Sequence, residues 1–98
     1  MKIRYAPNFI QTLDRQVEYI SKDKPSASRR FKNELLRECK SLTDNPYRCR
    51  KSIYYDDDSI RDLVFKGYTI IYEISDETIS IFAITKYKEY EPKNDKGR

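Results

Sequence analysis

The spacing of apolar residues shifts from a helical to a strand period near residue 51 of this chain of 98 residues, and few folds accommodate such a change. Before it, Ile10, Leu13, Val17 and Ile20 recur at three- and four-residue steps with Phe9 beside them, and Ala27, Phe31, Leu35, Cys39 and Leu42 do the same. Each run predicts a helix with one apolar stripe. Pro7 and Pro25 stand where a helix's first turn tolerates a missing donor, and Lys24 is pushed toward an extended backbone by the proline after it. The helices are therefore expected from Pro7 to near Lys22 and from Pro25 to about Leu42, and Thr43 to Lys51 reads as a basic loop. Beyond it, "SIYY", "IRDLVF", "YTIIYEI" and "ISIFAIT" are rich in β-branched and aromatic residues and are separated by "DDD", "KG" and "SDET", which predicts an antiparallel meander with a tight turn at Lys66-Gly67. "KIRY" at Lys2 to Tyr5 alternates as a short first strand does. The predicted class is α+β: a short N-terminal strand, a two-helix antiparallel hairpin, then a three- to four-stranded antiparallel sheet covering the helices' stripes.

One domain is expected over residues 1–91, followed by a polar tail at 92–98. Charged residues make up 37% of the chain, but nine Tyr and four Phe supply the buried area that a disordered chain lacks. The two cysteines, Cys39 and Cys49, have no CxxC spacing and there is no histidine, so neither a metal nor a cofactor is expected. Cys39 belongs to a core stripe. With no signal-peptide-like segment and no long apolar run, a cytoplasmic location is expected.

Charge is uneven. Residues 1–55 carry thirteen Lys/Arg against six Asp/Glu, and residues 56–98 carry seven against ten. A basic first half suits a polyanionic partner, or simply a solvated helix face. In the sheet, alternation places Ile71, Phe82 and Ile84 on the face away from the helices, where polar residues are the norm. Two readings follow: the sheet wraps a second small core of its own, or a partner's helix or strand completes the face.

The order strand, helix, helix, antiparallel strands resembles the ParE/RelE superfamily of bacterial toxins, and local residues resemble it too. "APNF---L---V-YI" looks like its opening, "P-AS-RF---L" and "L---P" at Leu42 to Pro46 its middle, and "IRDL" at Ile60 to Leu63, "Y-IIYEI" and "I-IFAI" its strands. The resemblance implies a toxin of a type II toxin–antitoxin (plasmid stabilisation) module, held in a hetero-oligomer with a cognate antitoxin from a neighbouring gene. Ile71, Phe82, Ile84, Arg30 and Arg37 are then the candidate antitoxin contacts.

Within that superfamily the resemblance leaves two targets. RelE-like members cut messenger RNA on the ribosome, which takes a general base, a general acid and cations for the transition state's charge. In this chain Ile60 and Asp62 stand where such relatives carry lysines, and Thr69 stands in place of the arginine beside their "GY". Lys86, Lys88, Tyr87 and Tyr90 remain at the chain's end, and without histidine an unperturbed lysine or tyrosine is a poor base at neutral pH. If the chain is a ribonuclease, Arg61, Lys86, Tyr87 and Lys88 are its candidate catalytic residues. ParE-like members poison DNA gyrase instead and need no acid–base set, so the ParE-like reading is preferred and enzymatic activity is left open. An inactive member, or a basic nucleic-acid-binding domain using Tyr47, Tyr54 and Tyr55, is the remaining alternative. The expected target contacts are Arg48, Arg50, Lys51, Arg61, Lys86 and Lys88. For Arg61 the competing role is structural: pairing with a carboxylate of Asp56-Asp57-Asp58 or Glu73 to fix the strand's register.

Overall fold

A computed structural model describes residues 1–86. Tyr87, Lys88, Tyr90 and the tail 92–98 lie outside the described residues. The element order is β1 (Lys2–Tyr5), α1 (Pro7–Ser21), α2 (Pro25–Ser41), β2 (Arg50–Lys51), β3 (Ile60–Phe65), β4 (Tyr68–Ser75) and β5 (Thr78–Lys86). Both helices begin at their prolines. Ala6 and Lys24, the residues before them, are not helical and make no side-chain cap, so the starts rest on proline's preset φ alone.

The sheet has five strands in the order β1-β5-β4-β3-β2. This corrects the expectation of three or four antiparallel strands in two respects. β1 pairs parallel to β5, Lys2 opposite Thr78 through Tyr5 opposite Ile81, so the sheet is mixed. The short strand next to β3 is Arg50–Lys51, and "SIYY" is not a strand. Parallel neighbours need a long crossover, here the two helices and most of the sheet, and nothing in a local pattern announces a pairing between residues so far apart.

The hairpin covers one face of the sheet. Phe9, Leu13, Phe31, Leu35, Cys39 and Leu42 meet Leu63, Ile70, Tyr72, Ile74, Ile79, Ile81 and Ile84 in one core. Phe31 packs between Phe65 and Tyr68, with ring centroids 6.1 and 5.2 Å away. Lys66 and Gly67 both take positive φ, 49° and 84°, and close the β3–β4 hairpin with the primed geometry that the right-handed strand twist prefers.

Between β4 and β5 the register slips. Ile71 faces Ala83 and Tyr72 faces Ile81, so Phe82 is an extra residue, a β-bulge. Two-residue alternation inverts beyond it, and Ile84 turns to the helices instead of the outer face. Ile71 stays on the outer face but is fully buried in a second cluster with Ile60 and Ala83, packed under Tyr54, Tyr55 and Phe82. Tyr55 meets Phe82 edge-on at 5.8 Å. Of the two readings of the outer face, self-coverage holds at Ile71: the tyrosines of "SIYY" cover the sheet rather than extend it.

The register makes a stability prediction. Ile84→Ala should cost about 2–4 kcal/mol in urea unfolding by opening a cavity under the helices. Val64→Ala, on the half-exposed outer position, should stay within about 0.5 kcal/mol; similar losses at both would contradict the inverted alternation. A second expectation concerns alkaline pH. Burial, helped by the Glu38 and Cys49 charges, pushes the Cys39 thiol from 9.0 up to about 12. A raised folded-state value stabilises fully below pH 9.0, where the thiol is protonated in both states, and that stability drains as pH rises toward about 12. Cys39→Ala should flatten this part of the stability–pH curve, and an unchanged slope would show that the thiol is not its source.

Candidate functional site

Arg61 and Asp62 are adjacent on β3 and so point to opposite faces of the sheet. On the helix face, Arg61 Nε donates to the Asp58 carbonyl at 2.9 Å, Nη1 donates to the Cys49 carbonyl at 3.1 Å, and the guanidinium lies 4.9 Å from the Tyr47 ring centre. Tyr72, paired with Arg61 across the β3–β4 ladder, donates its hydroxyl to the Pro46 carbonyl at 2.6 Å. Burial first, and then a hydrogen bond with the Cys49 thiol, hold this phenol well above the ordinary tyrosine range. Together these two side chains fasten residues 46–49 to the sheet. The expected carboxylate partner of Arg61 is thereby corrected. Two backbone carbonyls and a ring take that place, while the Asp58 carboxylate pairs with Lys51 at 3.1 Å.

On the outer face, the Asp62 carboxylate is fully buried. Its Oδ2 accepts from the Ile53 backbone N–H at 3.0 Å and from Arg50 Nη2 at 3.4 Å. Its Oδ1 meets no donor among the described residues. Asp62 therefore anchors the segment that carries Tyr54 and Tyr55 over the outer cluster. Sequence reasoning gave it no role, although a carboxylate flanked by Ile60 and Val64 in a β-rich run is a visible signal that something must meet it.

The loop's cations are exposed but not free. Arg48 donates to Ser41 Oγ at 2.7 Å and sits 3.9 Å from Glu38, Arg50 pairs with Asp62, and Lys51 pairs with Asp58. Exposed pairs of this kind are worth about 0–1 kcal/mol, so Arg48 and Lys51 can change partner at little cost. Arg50 cannot, because leaving would strand a buried carboxylate.

Lys86 ends β5 opposite Tyr68, its ammonium 5.8 Å from the ring centre of Tyr19 on α1. Arg61 lies opposite Tyr72, four residues along β4, or about 13 Å away. The described residues thus place Arg61 and Lys86 at separate ends of the sheet. Thr69, between Val64 and Thr85, is fully buried, and Ile60 and Asp62 are buried with it. Of the expected antitoxin contacts, Ile71 and Ile84 are closed to a partner by the cover and the bulge described above. Phe82 is half-buried and lines a cleft of about 420 Å³ with Arg4, Glu73 and Ser80, and Arg30 and Arg37 are exposed on α2. No helix among the described residues is long and apolar enough to cross a membrane, and none of their Cys, Asp and Glu side chains cluster as a metal site.

Arg61→Ala should lower the unfolding midpoint, with a loss of about 1–3 kcal/mol, because it removes two hydrogen bonds to carbonyls and the ring contact. Arg61→Lys should recover only part of that, since an ammonium cannot reproduce the fork. Wild-type stability in both variants would show that Arg61 serves the target and not the fold.

A family model for the ParE toxin of type II toxin–antitoxin systems, parDE, matches residues 3–89. Among solved structures, the fold is similar to a chain of the chromosomal ParDE TA system from P. aeruginosa, with a TM-score of 0.74 and 12% sequence identity over 88% of this chain and 95% of that one. At that identity the likeness is one of fold. No curated protein sequence matches.

Proposed function

Because the chain belongs to the ParE toxin family of type II toxin–antitoxin systems, we propose that it arrests growth in the cytoplasm by binding DNA gyrase and stabilising its cleaved-DNA intermediate, and that a cognate antitoxin neutralises it. The observation that carries the choice of target is Thr69. Where the resemblance to RNA-cutting relatives implies an arginine, the side chain is a fully buried threonine. It offers a scissile phosphate neither charge nor access. The positions implied for their lysines hold Ile60, which is apolar and buried, and Asp62, whose carboxylate would oppose the negative charge that develops in phosphodiester cleavage. Arg61, the cation between them, is committed to two carbonyls and a ring.

A binder needs none of that chemistry. It needs a rigid surface with charges free to change partner, and Arg48 and Lys51 on the anchored loop supply it, with Lys86 at the far end of the sheet. For the antitoxin, the cleft beside Phe82 supports an apolar contact next to β1, an edge strand among the described residues, with Arg4 and Glu73 offering one charge of each sign.

With purified gyrase, ATP and plasmid, the chain should cause linear DNA to accumulate after detergent and protease treatment. Arg48→Ala combined with Lys51→Ala should reduce that product several-fold while leaving the fold intact. Absence of linear DNA at every dose, with messenger RNA cut in a reconstituted translation mixture, would overturn the reading in favour of the nuclease.

A further inference from the structure

Helix α2 buries Ser28, Phe31, Leu35 and Cys39. At about 100° per residue, Arg29, Arg30, Asn33, Arg37 and Lys40 fall within an arc of about 100° on the opposite side. All five are exposed. From Arg29 to Lys40 they span about 16 Å along the axis.

What distinguishes this stripe from an ordinary solvated face is the use made of the carboxylates around it. Glu34 pairs with Lys66, Glu38 with Arg48, and Asp14 with Lys32. None of Arg29, Arg30, Arg37 and Lys40 has a carboxylate partner among the described residues. The hydrogen bond from Lys66 outweighs the opposing effect of burial and, with lesser help from the charges of Lys66, Arg30 and Arg37, holds the Glu34 carboxyl below its usual range, so one carboxylate answers three cations. The loop at 48–51 has the reverse arrangement, with each cation matched.

The stripe also lacks what a protein partner uses. Binding energy between proteins concentrates in apolar and aromatic anchors set in desolvated pockets. The exposed large apolar residues among those described are Met1, Ile10, Tyr19, Tyr47, Ile53 and Val64, and none is on α2. Four cations without an ion pair among the described residues, an amide and no anchor on a rigid helix suit a row of phosphates, which rewards charge and hydrogen bonds without apolar burial. At 3.4 Å rise, about 16 Å spans about five nucleotide steps.

We propose that the outer face of α2, through Arg29, Arg30, Arg37 and Lys40 with Asn33 as a hydrogen-bonding spacer, is a sequence-independent binding surface for the sugar–phosphate backbone of duplex DNA. It is separate from the loop surface assigned to the target. The arginines expected from the sequence to meet the antitoxin, Arg30 and Arg37, are thereby reassigned to nucleic acid.

The test is fluorescence anisotropy of the full-length chain with a labelled duplex of about 20 base pairs of mixed sequence, over about 50 to 200 mM salt. Four phosphate contacts predict a slope of log K against log salt of about −3.6, independent of sequence. Arg30→Glu with Arg37→Glu should weaken binding by about tenfold or more and make the slope shallower by about 1.8. Arg30→Lys with Arg37→Lys should keep most of the affinity. Circular dichroism should not change and the urea midpoint should fall only slightly, since all four cations face solvent and Glu34, which loses favourable charges, keeps its pair with Lys66. Gyrase-dependent cleavage reports separately on the target reading. No duplex binding, or equal binding by the Glu variant, overturns the proposal. So does loss of antitoxin co-purification in that variant with duplex binding intact, which would make the stripe a protein-docking face.

Discussion

A strand has only two faces, and at Arg61 and Asp62 this chain uses both to tie down its long connection. The connection between α2 and β3 carries only the two-residue strand β2, so without side-chain anchors much of its backbone would have nothing to bond to. Arg61 reaches to the helix side and holds the Cys49 and Asp58 carbonyls, while Asp62 reaches to the other side and holds the Ile53 amide. Tyr72, one strand further in, adds the Pro46 carbonyl. Those four backbone points fix where Tyr47, Arg48, Arg50 and Lys51 sit, and they bring Tyr54 and Tyr55 over the outer cluster. A charged pair among residues that favour burial is therefore the means by which a small sheet controls a loop too long to order itself.

Legibility in the sequence followed the range of the interaction. Both helices could be read to within a residue or so, because Pro7 and Pro25 fix local dihedrals and the apolar stripes repeat locally. The turn at Lys66-Gly67 was equally local. What could not be read was non-local. Nothing near Lys2 says that it will lie parallel to Thr78, and "SIYY" has the composition of a strand although its tyrosines serve as a cover. The bulge at Phe82 is the sharpest case. One extra residue in β5 costs no change in composition, yet it moves Ile84 from the outer face to the core and so removes one of the three apolar residues that alternation had placed outside.

The candidate site was legible in a different way. The family could be recognised through short runs such as "IRDL" and the order of elements, and the matching family model covers nearly the whole described chain. The roles of individual residues could not be recognised, because a role depends on who the neighbours are. Arg61 read first as a partner for a carboxylate and second as a contact for a phosphate, and it meets neither among the described residues. Arg48, Arg50 and Lys51 looked like a basic patch, yet Glu38, Asp62 and Asp58, distant by ten, twelve and seven residues, stand against them. Thr69 was already visible as a substitution, and its complete burial gives that substitution a physical meaning.

Two kinds of basic surface thus coexist on one small domain, and they differ in what binding an anion costs. On the loop, an incoming phosphate must first displace a carboxylate. That costs little at Arg48 and Lys51, whose pairs are exposed, and much at Arg50, whose partner is buried. Such a surface discriminates, because only a partner that fits the anchored geometry recovers the exchange. On α2 no carboxylate among the described residues has to leave, so a phosphate would gain the contact and the released counterions at every register along the helix. A surface of that kind holds without selecting. Under the proposed gyrase target the helix would keep the chain on the polymer and the loop would choose where on the enzyme it settles, and the distribution of Glu34, Glu38, Asp58 and Asp62 separates the two surfaces.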